Sequence, residues 1–123
     1  MKFRKMMGVT AAFLCAALAL SGCGSTDETA YRIGIVQQDE HSSLDAATQG
    51  FEDKLMELLG EENVTFDYQN AQGEQANSTT IATKFVSDGC DLILANGTTA
   101  LQSAAAATAD IPIVGTSVTD YIA

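Results

Sequence analysis

The chain has 123 residues, with 6 Lys and Arg against 16 Asp and Glu and a formal net charge of −10. That balance argues against nucleic-acid binding, because affinity for phosphates rests on Lys and Arg. It suits a soluble acidic surface, and the length suits one small domain with its own core.

Lys2, Arg4 and Lys5 open the chain, an uncharged apolar run follows from Val9 to Leu20, and the run ends in Leu20-Ser21-Gly22-Cys23. A basic start, an apolar middle of about a dozen residues and a small-residue exit make a secretory signal peptide over residues 1–22. The run is shorter than the roughly 20 residues that span a bilayer. Its exit resembles the lipobox of bacterial lipoproteins, which implies a diacylglycerol on the Cys23 sulfur and cleavage just before it. The plainer alternative is an ordinary signal peptide with a chance Cys at its exit. Each buried methylene contributes about 0.8 kcal/mol, and two or more lipid chains give a stable membrane anchor. Residues 23–30 are small and polar beyond the Cys and read as a tether. The expected location is therefore extracytoplasmic and membrane-anchored. Loss of Lys2, Arg4 and Lys5 with the signal takes the formal charge from −10 to −13. Cys15 leaves with the signal and Cys23 carries lipid, so Cys90 stands alone and reads as a small buried hydrophobe.

The folded part is expected over residues 31–123. Tyr31 to Val36 is short and rich in β-formers, hence a strand. Leu44, Ala47, Phe51, Leu55, Leu58 and Leu59 recur at helical spacing, with Ser42 or Ser43 as N-cap and Gly60 as terminator. Val64, Phe66 and Tyr68 alternate with polar residues, as in an edge strand. Ala76 to Val86 puts Ile81, Ala82, Phe85 and Val86 on one face of a second helix. Asp91 to Ala95 is a continuous apolar run, suited to a central parallel strand. Thr98 or Thr99 caps a third, Ala-rich helix over Ala100 to Thr108, and Ile111 to Gly115 is a fourth strand with Pro112 near its start.

Strands alternating with helices predict an α/β fold, a doubly wound parallel sheet built from right-handed βαβ units. The alternating strand belongs at an edge and the two apolar runs belong in the middle, which a 2-1-3-4 order accommodates.

In such a sheet ligands bind beyond the carboxyl ends of the strands. Three loops lie there: Gln37 to Ser43, Asn96 to Thr99, and Thr116 to Asp120. All are dense in short hydroxyl, amide and carboxyl side chains. Helix N-termini offer free N–H groups to a carboxylate, and Asp39, Glu40 and Asp120 offer charge to an ammonium, so a small zwitterion fits. Asp39, Glu40 and Asp45 can also be read as a cation site, although their spacing matches no calcium loop. The chain has no G-x-S-x-G, no G-x-G-x-x-G and no P-loop, so neither catalysis nor a cofactor is expected.

The segments IGIVQ, EHSSLDAATQGFEDKL, DYQNAQGEQANSTTIATKFVSDGCDLILA and AAAATADIPIVGTSVTD resemble the tryptophan/tyrosine-type ABC transporter substrate-binding lipoproteins. The resemblance covers residues 31–120 and is most specific at YQNAQG with Asn77 and at IPIVGTSVTD. It implies the first Rossmann-like lobe of a type I periplasmic binding protein. It also implies capture of an aromatic amino acid or related small solute between two lobes, and delivery to an ABC permease. Carried over by position, the ligand contacts are Glu40, His41 and Leu44, then Thr98 and Thr99, then Thr116, Val118, Thr119 and Asp120. Two departures concern ligand identity: Tyr121 stands where the family has Pro, and Asn96-Gly97-Thr98-Thr99 replaces small apolar residues and a Pro. The family's usual size implies a second lobe and a hinge, which are expected to lie outside this chain. The alternative function is a ligand-sensing lipoprotein of the same fold that signals to a receptor.

Overall fold

A computed structural model describes residues 30–121. The expected signal peptide, the Cys23 lipidation site and the tether up to residue 29 lie outside the described residues. Four strands and three helices alternate: β1 (Tyr31–Gln37), α1 (Ser42–Leu59), β2 (Val64–Asn70), α2 (Gln75–Ser87), β3 (Leu92–Asn96), α3 (Thr98–Ala107) and β4 (Ile113–Thr116), with one 3-10 turn at Glu61–Asn63 before β2. The strands are all parallel, in the order β2-β1-β3-β4. The α/β sheet and its strand order are those expected.

Side-chain alternation along the strands divides the core in two. Ile33, Ile35 and Leu94 join Val64 on one face, covered by Phe51, Leu55, Met56 and Leu59 of α1. Val36, Ile93 and Ala95 point to the other face and pack with Phe85 of α2 and with Ala100 and Ala104 of α3. Gly34 lies beneath Phe85, and a Cβ there would meet the ring at 2.6 Å. The bare Cα of Gly34 therefore lets the fully buried Phe85 lie flat on β1.

The end of α2 places Cys90. Gly89 N–H donates to Val86 O and Cys90 N–H to Phe85 O, both at 3.1 Å. This is a Schellman closure, in which the residue after the turn packs back on the last helical turn. Cys90 is accordingly buried and free, in one cluster with Phe85, and burial raises its thiol pKa.

Three local expectations are corrected. The cap of α1 is His41, not Ser42 or Ser43: the chain turns helical at Ser42, and His41 Nδ1 accepts from Ser43 N–H at 3.2 Å. The cap position of α3 is Gly97, with Thr98 and Thr99 already inside the helix. The fourth strand begins at Ile113, because Thr108 Oγ1 accepts from the N–H groups of Asp110 and Ile111 and holds that stretch in a turn. That strand is also an edge among the described residues and not in the middle as its apolar run implied, with Val114 41% exposed.

Candidate functional site

The register brings the last residues of all four strands into one row. Gln37 lies beside both Asn70 and Asn96, and Asn96 lies beside Thr116. Three carboxamides and a hydroxyl thus end four strands whose preceding residues include the fully buried Ile35, Val36, Ile93 and Ala95.

Gln37 and Asn96 are both fully buried, where an unpaired polar group is costly, and all their side-chain polar atoms find partners except Asn96 Oδ1. Gln37 Nε2 donates to Asp39 O at 2.8 Å and to Asp45 Oδ1 at 2.7 Å. Its Oε1 accepts from Thr48 Oγ1 at 2.7 Å. Asn96 Nδ2 donates to Leu44 O at 2.8 Å and to Thr48 Oγ1 at 2.9 Å. This network joins β1 and β3 to the first turns of α1 and so sets the position of the segment bearing Glu40, His41 and Leu44.

The four carboxyl-end loops are then tied to one another. Gln38 N–H donates to Asn96 O, and Gln38 O accepts from Gly73 N–H, both at 2.8 Å. Gly97 N–H donates to Thr116 O at 2.9 Å, and Thr119 N–H donates to Thr98 Oγ1 at 3.1 Å.

Each expected contact residue lies at this end of the sheet. Glu40 and His41 are exposed, and their hydrogen bonds are local, from Glu40 N–H to Asp39 Oδ1 and between His41 and Ser43. Leu44 is half-buried in the first turn of α1, and Thr98 and Thr99 are half-buried in the first turn of α3. Thr116 and Val118 are half-buried, while Thr119 and Asp120 are exposed. Thr98, Thr116 and Thr119 are drawn together by the bonds just given. Glu40 and His41 form a separate group on the α1 side.

The cation reading of Asp39, Glu40 and Asp45 finds no support. Asp45 is engaged by Gln37, Asp39 by the Glu40 N–H, and among the described residues no group of His, Cys, Asp or Glu is arranged to hold a metal. A shallow depression of about 210 Å³ lies on the flank between α1 and β2, lined by Gln37, Asp45, Thr48, Gln49, Glu52 and Tyr68. None of the nine expected contact residues lines it.

Charge is distributed unevenly. The described residues hold three Lys and Arg, namely Arg32, Lys54 and Lys84. Lys84 pairs with Asp67 and Asp88, Arg32 bonds to Asp88 O through its guanidinium, and Lys54 pairs with Glu57. The carboxyl-end loops therefore carry no cationic side chain of their own, but they do carry Asp39, Glu40 and Asp120. A ligand carboxylate there would be met by N–H and hydroxyl donors, and an ammonium by carboxylates.

Residues 32–123 match the family model for ABC transporter substrate binding proteins. A tyrosine-binding protein from Clostridioides difficile (strain R20291) is 38% identical over 98% of this chain and 39% of its own length. The ligand-free, open structure of a substrate binding protein with adhesive properties from Clostridium difficile is 44% identical, with a TM-score of 0.70 over 73% of this chain and 31% of that one. An ABC domain from Streptococcus pneumonia in complex with L-Trp is 34% identical, with a TM-score of 0.70 over 74% of this chain and 31% of that one. A conserved domain protein from Vibrio cholerae is 39% identical, with a TM-score of 0.71 over 76% and 32%. The chain thus spans 39% of the curated relative.

Proposed function

We propose, from the premise that this chain belongs to the ABC transporter substrate binding protein family, that it supplies the first lobe of an extracytoplasmic binding protein that captures an aromatic amino acid and delivers it to a permease. It acts without catalysis or cofactor. Binding proceeds by closure of a second lobe over the loops at the carboxyl ends of β1, β3 and β4. Glu40, His41, Leu44, Thr98, Thr99, Thr116, Val118, Thr119 and Asp120 contact the ligand. A diacylglycerol on Cys23 holds the protein to the membrane.

The observation that carries this reading is the tied set of carboxyl-end loops, which is donor-rich, lacks cations and stands at the ligand position of a doubly wound sheet. Relatives named for tyrosine binding and solved with L-Trp support the aromatic class.

The test is calorimetric titration of residues 24–123 and of a chimera completed with the second lobe of the Clostridioides difficile relative. The probes are L-tyrosine, L-tryptophan, L-phenylalanine and a panel of aliphatic amino acids and sugars. Saturable heat from aromatic amino acids in the chimera supports the reading. Heat only from another solute overturns the aromatic assignment. The anchor is tested by Cys23→Ala, which is expected to move the protein from the membrane to the soluble fraction; retention on the membrane would refute lipidation.

A further inference from the structure

Gln38 joins more loops than any residue in the expected contact set. Its backbone N–H reaches Asn96 O, its carbonyl accepts from Gly73 N–H, and its side-chain Oε1 accepts from Thr99 N–H, each at 2.8 Å. One residue after β1 is thereby bonded to the loops that follow β2 and β3. The packing around it is close: Gly97 holds φ 120, and a Cβ there would lie 2.5 Å from Gln38 Cβ and 2.7 Å from its Oε1. Helix α3 has no side-chain cap from its own cap residue, Gly97, and the Gln38 carboxamide provides the missing acceptor from another loop. Thr98 is then free of any capping duty, and its hydroxyl oxygen accepts from Thr119 N–H to tie down the loop after β4.

We propose that Gln38 is a positioning residue for ligand capture, whose carboxamide caps α3 from outside and so holds the Thr98–Thr99 turn in register with the loops after β1, β2 and β4. This rests on the proposed binding role of those loops. Gln38 acts through Thr98 and Thr99. A preformed surface lowers the ordering cost of binding, so loss of this one bond weakens capture even where the fold survives.

The test compares Gln38→Met, which keeps the length and volume but removes the acceptor, with Gln38→Glu, which keeps the acceptor. Both are made in the full chain and in the completed chimera. Two quantities are read: hydrogen exchange at the Thr99 amide, and affinity for L-tyrosine and L-tryptophan. Gln38→Met is expected to speed Thr99 exchange and to weaken binding about tenfold, the scale of one lost hydrogen bond. Gln38→Glu is expected to restore slow Thr99 exchange. Unchanged affinity in Gln38→Met, or lost affinity with Thr99 exchange unaltered, would overturn the proposal. If the parent chimera binds neither amino acid, the ligand assignment fails by itself. Thr99 exchange then decides whether Gln38 holds the loops, and exchange unchanged by Gln38→Met overturns that too.

Discussion

Replacing Gln37 with Ala is the most demanding test of how this sheet supports its loops. Gln37 is fully buried, and its carboxamide makes three bonds of 2.8 Å or less, to Asp39 O, Asp45 Oδ1 and Thr48 Oγ1. A typical intramolecular hydrogen bond contributes about 1 kcal/mol net, and a buried group left without its partner costs about 1–3 kcal/mol. Thr48 retains Asn96 Nδ2 as a donor to its oxygen but loses the acceptor for its own proton. The expected cost of Gln37→Ala is therefore about 3 kcal/mol. In a domain of this size each kcal/mol shifts the midpoint by roughly 4–8 °C, so the melt should fall by at least about 12 °C. The assay is thermal unfolding followed by circular dichroism, with amide exchange over Leu44 to Thr48 as a local readout. The loss should be concentrated in the first turns of α1, which Gln37 and Asn96 hold to the sheet. A midpoint within about 3 °C of the parent would refute the claim that this network orders the loops.

Gly34→Ala puts a Cβ 2.6 Å from the Phe85 ring, and overpacking of this kind costs about 1–3 kcal/mol; a melt unchanged from the parent would contradict the packing described. His41→Ala removes the acceptor for Ser43 N–H and should lower stability by about 1 kcal/mol in denaturant titrations, whereas Ser42→Ala should have little effect if His41 is the cap. The Lys84 ammonium, aided by the Gln69 amide, holds the Asp67 carboxyl below the usual carboxylate range. Its folded pKa lies below the unfolded value near 3.9, so the pair's contribution is complete above about pH 5 and is lost as pH falls through the folded pKa. Asp67→Asn should accordingly flatten the acid limb of the stability profile, and an unaltered limb would show that the pair contributes nothing.

Much of the fold was legible in the residues themselves. Periodicity identified β2, α1 and α2, because each buries one face of a regular element and the 2.0 and 3.6 repeats differ, while β-former content, continuous apolar runs and an Ala-rich stretch identified β1, β3, β4 and α3. The polar alternation of Val64 to Tyr68 marked β2 as an edge, and the apolar run before Asn96 marked β3 as central. The convergence of the candidate loops was legible as well: in a parallel sheet the carboxyl ends all face one way, so the loops after β1, β3 and β4 had to gather at one end.

The support beneath those loops was not legible. IGIVQ and LILAN each end an apolar strand in a carboxamide, but nothing local says that Gln37 and Asn96 stand side by side over Thr48, a residue on the helix between them. The same holds for the caps. Local chemistry favoured Ser42, Ser43, Thr98 and Thr99, whereas the chain used His41 and a Gln38 side chain reaching across from another strand's loop. The sequence by itself therefore determined the elements, their order and the end of the sheet where the candidate loops gather, since hydrophobic pattern and composition act within each segment. Only the tertiary structure decided which polar groups hold that end rigid, since a buried amide or hydroxyl is satisfied by whichever partner the register of distant strands brings within 3 Å.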